Sequence, residues 1–120
     1  MKKIKIVSTV LLITLFSFFN ISNAKSETLL VSDVLLDIGI LKNKEVNVKG
    51  FFMGLGTLAY IYEEQGSMNF IMVETKNAPR DDRKYLLKNC EGFGGCNITL
   101  NGKLSESFGL ITLNLNRIIK

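Results

Sequence analysis

The stretch Leu110-Ile111-Thr112-Leu113-Asn114-Leu115-Asn116-Arg117-Ile118-Ile119 carries the cleanest period in the chain. Ile111, Leu113 and Leu115 fall on one side of an extended backbone, and Thr112, Asn114 and Asn116 on the other. That is the pattern of a strand with one wet face. Immediately upstream, Ser105 to Ser107 are expected to turn the chain, and Asn97 to Leu104 forms a partner strand. In it Ile98, Leu100 and Gly102 oppose Thr99 and Asn101. The C-terminal quarter thus reads as a β-hairpin, and the fold class as mainly β.

Earlier segments extend the pattern. Val46 and Val48 alternate with Glu45, Asn47 and Lys49, and Gly50 interrupts at the position of a bulge or sharp bend. Phe51-Phe52-Met53 then places bulky groups on both faces. A second strand is expected over Thr57 to Tyr62, and a third over Met68 to Glu74, with Glu63 to Ser67 as the hairpin loop between them. Two short helices complete the reading. Ser32 and Asp33 suit a helix start, followed by Leu35, Ile38 and Leu41 at helical spacing. Pro79-Arg80-Asp81-Asp82 is a second start, with Tyr85, Leu86 and Leu87 supplying the apolar side.

A meander of three strands, a helix and a closing hairpin is the order of the five-stranded OB barrel, whose helix plugs one end. Val46-Asn47-Val48-Lys49-Gly50 resembles an OB first strand with its mid-strand glycine. Asn97-Ile98-Thr99-Leu100-Asn101-Gly102 resembles the fourth. The resemblance runs from about Glu45 to Ile118 and extends to small exported bacterial OB-type proteins of uncharacterised role. It implies an OB-like barrel (β-β-β-α-β-β) with an extra N-terminal short helix; an SH3-like small barrel is the rival architecture.

Residues 1–24 read as a cleavable signal peptide. Met1 to Lys5 is cationic, Ile6 to Phe19 is uncharged, and Ser22-Asn23-Ala24 offers small residues before the cut. The uncharged run of 14 residues is shorter than the roughly 20 that cross a bilayer. The remaining segment, residues 25–120, is a single OB-like domain of 96 residues (120 − 24). Removing Lys2, Lys3 and Lys5 leaves 12 basic residues against 11 acidic ones, so the net charge falls from +4 to +1. Nucleic acid thereby loses its electrostatic footprint as a partner. Export is to the periplasm, with the extracellular space as the alternative, and no stable membrane anchor remains after cleavage. In an oxidising compartment Cys90 and Cys96, separated by Glu91-Gly92-Phe93-Gly94-Gly95, are expected to form a disulfide.

Catalysis finds little material. The chain has no histidine, its serines lack a neighbouring base, and the pairs Glu63-Glu64 and Asp81-Asp82 suit a hairpin tip and a helix start. No enzyme activity, no cofactor and no metal site are expected. The OB resemblance implies ligand binding across the second and third strands, flanked by loops. It makes Tyr60, Tyr62 and Phe70 candidates for the binding face, with Phe52, Met53 and Phe108 in the loops and Lys49 and Arg117 at the rim. The expected role is an exported, non-catalytic binding module for a protein or glycan. A single-stranded nucleic-acid binder and an oligomeric structural or toxin-type receptor-binding subunit are the alternatives, and the sequence does not fix the oligomeric state.

Overall fold

The computed structural model describes residues 27–120 apart from Gly56, so residues 1–24, read from the sequence as a signal peptide, lie outside the described residues. In chain order the elements are β1 (Thr28–Leu30), α1 (Val31–Leu41), β2 (Glu45–Leu55), β3 (Leu58–Tyr62), β4 (Phe70–Glu74), α2 (Arg80–Asn89), β5 (Cys96–Ser107) and β6 (Leu110–Ile119). They form one mixed sheet in the order β1-β2-β3-β4-β6-β5. Because β2 also pairs with β5, five of the six strands close into a ring. The one parallel contact within the ring joins β4 to β6.

The ring closes because β2 is long enough to serve two partners. Residues 45–52 pair with β5, and residues 51–55 pair with β3. Gly50 sits at the hand-over. The register with β5 runs through Gly50 without a bulge, but a Cβ there would lie 2.3 Å from the Tyr62 carbonyl oxygen and 2.9 Å from Ile61 Cγ1, so the close approach of β3 needs a residue without a side chain. β1 fills the edge that β2 would otherwise leave open beside β3, pairing Thr28 with Asn47 and Leu30 with Lys49 in parallel.

Two sequence expectations are corrected along β5 and β6. The turn falls at Phe108-Gly109 rather than at Ser105 to Ser107, where β5 is still paired with β6. A bulge sets Asn101 opposite Arg117 and Gly102 opposite Leu115, leaving Asn116 as the extra residue. The alternation of β6 therefore changes phase, and Ile118 joins Leu113 and Leu115 in the core. Asn101, on the side of β5 opposite Leu100, is only 4 % exposed. Its amide donates to Asn47 Oδ1 at 2.8 Å and accepts from Asn116 Nδ2 at 3.3 Å, which satisfies it without water.

The interior is filled by Val46, Val48, Phe52, Ile61, Ile71, Val73, Leu100, Leu104, Leu113 and Leu115. α1 closes the end where β4 and β6 begin, through buried Val31 and Val34. α2, through Leu86, and Ala78 just before it close the other end. The apolar side of α2 is narrower than the sequence suggested, for Tyr85 and Leu87 remain exposed while Leu86 is buried. Buried Asp82 does more than match the helix dipole. Its Oδ2 accepts the Ile118 N–H at 3.0 Å and ties α2 to β6.

The start of α1 is also corrected. The helix begins at Val31, so Ser32 lies inside it and does not cap it. The capping anion comes from 31 residues away: Glu63 accepts the Ser32 N–H at 3.0 Å and the Ser32 hydroxyl at 2.6 Å. Asp33 adds a local bond from the Leu30 N–H at 2.8 Å. Charged acceptors of this kind contribute about 1.5–3 kcal/mol. Glu63→Ala is expected to lower stability by about that amount, and Glu63→Gln by roughly half, read as shifts of the urea midpoint.

Cys90 and Cys96 form the expected disulfide, with Cα atoms 4.9 Å apart. It joins the C-cap of α2 to the first residue of β5. The enclosed loop is stitched to the end of β2, where the Gly54 N–H donates to the Cys90 carbonyl (3.2 Å) and the Gly92 N–H to the Gly54 carbonyl (2.8 Å). Gly95, at φ +45°, lies against Phe51, so the loop covers that ring. Closing so short a loop stabilises by roughly 2 kcal/mol on the chain-entropy model. Cys90→Ser/Cys96→Ser is expected to lose at least that much, with the oxidised and reduced wild-type protein as the matching comparison.

Candidate functional site

Register fixes which side chains leave the ring. Phe52, Ile61 and Ile71 pair across β2, β3 and β4 and point inward, so their neighbours point outward. One outward row is Phe51, Tyr62 and Phe70; the next is Met53, Tyr60 and Met72. Within these rows three rings interlock. Tyr60 and Phe70 meet edge to face with centroids 5.5 Å apart, Tyr62 and Phe70 are 5.4 Å apart at 42°, and Tyr60 and Tyr62 are 6.3 Å apart at 50°. Such pairs hold one another in place and pre-organise the surface.

The wall does not stop at β4. Beyond Phe70, a groove of about 140 Å³ is lined by Leu35 of α1, Met72, Gly109 and Leu110. Leu110 is 59 % exposed, and Phe108 at the hairpin tip is fully exposed. Phe108 (φ 53°) and Gly109 (φ 78°) both adopt positive φ, the backbone of a two-residue hairpin turn with mirror-image geometry. Glycine takes that conformation freely and asparagine tolerates it, but phenylalanine is strained there. A fully exposed ring is thus held on a backbone that its own residue type disfavours.

The candidate residues divide accordingly. Tyr60, Tyr62 and Phe70 are brought together, and Phe108 stands fully exposed at the hairpin tip two residues before Leu110. Phe52 is corrected: it lies in β2, not in a loop, and at 2 % exposure it belongs to the core. Met53 also lies in β2, half-buried in the outward row. Lys49 and Arg117 do not rim the aromatic wall. Lys49 faces Thr99, and Thr99 faces Ile119; Arg117 faces Asn101. Both basic residues therefore lie on the outer wall made by β2, β5 and β6. Reading the sequence missed Leu110, Met72 and the α1 residue Leu35. The alternation of β6 begins at Ile111, which leaves Leu110 on the outer side, so that signal was present. Nothing local linked α1 to β4.

No family model matches the sequence, and no curated protein matches it. Among solved structures the chain is similar to one described as an OBody AM1L10 bound to hen egg-white lysozyme. The two share 16 % sequence identity over 66 % of this chain and 79 % of that chain, with a TM-score of 0.49.

Proposed function

We propose that this protein is an exported, non-catalytic OB-type module that binds a protein partner of the bacterial envelope or the extracellular space. The OB reading is supported by the closed five-strand ring and by the helix between its third and fourth strands, a position that an SH3-like barrel does not share. Export is supported by the leader-like N-terminus and the disulfide.

One observation carries the binding reading. An outward strip runs from Tyr60 and Tyr62 through Phe70 to Leu110, and a strained, fully exposed Phe108 stands at the hairpin tip two residues before Leu110. Strain of about 1 kcal/mol at a residue that buries nothing in the domain calls for a gain elsewhere. Aromatic anchors at the centre of an interface supply such gains. The partner's chemistry follows from the tilts. Sugar or base stacking needs ring faces laid flat, whereas these rings stand at 42–84° to one another among Met53 and Met72. That surface suits interdigitating apolar side chains of a protein more than a glycan or a single strand.

The test uses Phe108→Asn, which removes the ring and relieves the turn. It is expected to raise stability by about 0.5–1 kcal/mol while abolishing capture of the partner from an envelope extract. Tyr60→Ala is expected to weaken the same capture. Equal recovery of the same partner by wild type and both variants would refute this assignment.

A further inference from the structure

Away from the aromatic strip, two adjoining grooves of about 480 and 540 Å³ meet at Tyr85 and Lys120. The first runs over the outer wall of β2, β5 and β6 and holds Lys49, Asn97 and Thr99. The second follows α2 and holds Lys84 and Lys88. Among the described residues no acidic side chain lines the first groove, and Asp81 is the one acidic side chain in the second. Four lysines therefore share a continuous channel on a protein whose net charge without its leader is only +1.

We propose that this channel is a second binding site, specific for an acidic glycan, a sugar polymer bearing carboxylate or sulfate groups. The reasoning starts from magnitude. An exposed ion pair is worth about 0.2–1 kcal/mol, so a small anion touching one or two of these lysines would not stay bound. A polymer with repeated charges engages them together, and Lys84 and Lys88, four residues apart on α2, present two ammonium groups on one helix face. The uncharged lining points to sugar. Tyr85 offers a ring that is 44 % exposed, and Asn97 and Thr99 offer an amide and a hydroxyl for sugar hydroxyls. A nucleic acid would ask for several stacking rings along the channel, and here there is one.

Titration of the full domain with heparin and polygalacturonate oligosaccharides at low salt tests this, with dextran and poly-glutamate as controls. Binding of at least one acidic glycan is expected, falling as salt rises, with none to dextran. Lys49→Glu/Lys84→Glu/Lys88→Glu is expected to weaken it by about ten-fold or more, Tyr85→Ala by several-fold, and Phe108→Asn not at all. An unchanged thermal melt of each variant separates lost binding from lost folding. The proposal is overturned by no binding to either glycan, by equal binding in the triple variant, or by poly-glutamate binding as tightly as the glycans. Because Phe108→Asn reports on the other wall, failure here leaves the protein-binding reading separately testable.

Discussion

Phe52→Ala is expected to destabilise the domain by about 3–5 kcal/mol, the range for truncating a fully buried phenylalanine. Phe52 is 2 % exposed and pairs with Ile61 of β3 and Cys96 of β5, at the junction where β2 passes from one partner to the other. Its ring therefore supports both halves of the sheet, and the cavity left behind is lined by strands that are fixed by pairing on each side. Little collapse is available, which places the cost toward the upper end. Stabilities of small domains total only about 5–15 kcal/mol, so a large part of the folded population would be lost on warming. A urea titration reads the change directly. The neighbouring Met53→Ala, on the outward row and half-buried, should cost about 1 kcal/mol or less by comparison. A larger loss at Met53 than at Phe52 would mean that the inward and outward faces of β2 have been exchanged.

Gly50→Val is expected to be nearly as damaging, at about 3 kcal/mol or more, for the opposite reason. Here atoms are added where none fit. The nearest obstacle to a Cβ is the Tyr62 carbonyl oxygen at 2.3 Å, and a backbone oxygen at the end of β3 cannot swing aside as a side chain could. Relief requires β2 and β3 to part, which would also strain the Glu63 bonds to α1 one residue further along. Gly50→Ala should show most of the effect, since the collision is with the first carbon. Gly39→Ala in α1, where nothing lies within 4 Å of an added Cβ, is the control. It should stabilise the helix by about 0.5–1 kcal/mol.

Gly50 shows how much of this fold can be read from sequence. A glycine inside a period-two run marks a place where another backbone can come close, and the Ile111–Leu115 alternation marks a half-buried strand. What local period cannot supply is phase. Phe51-Phe52-Met53 is equally bulky at each position, and only pairing with Ile61 and Ile71 decides that Phe52 points inward. The Asn116 bulge hides Ile118 in the same way, because the sequence carries no mark of the extra residue. β1 is three residues long, too short for any period to show. The α1 cap was illegible because its acceptor, Glu63, comes from the far end of β3. At the candidate site the aromatic residue types were legible, and so was their strand. The split between the two walls was not, since it follows from which strands pair around the ring.

The helices at the two ends of the ring have a consequence for how this molecule could change over time. With α1 and α2 in place and the interior occupied by side chains, no ligand can enter the lumen, and recognition is confined to outward-facing positions. Residues that hold the domain together and residues that face outward are thus almost disjoint sets, alternating along the same strands. On the proposed reading, substitutions at Tyr60, Tyr62 or Phe108 would retune specificity with small effects on folding, while inward positions stay under a packing constraint that no partner sees. A scaffold divided in this way can acquire new partners one outward residue at a time.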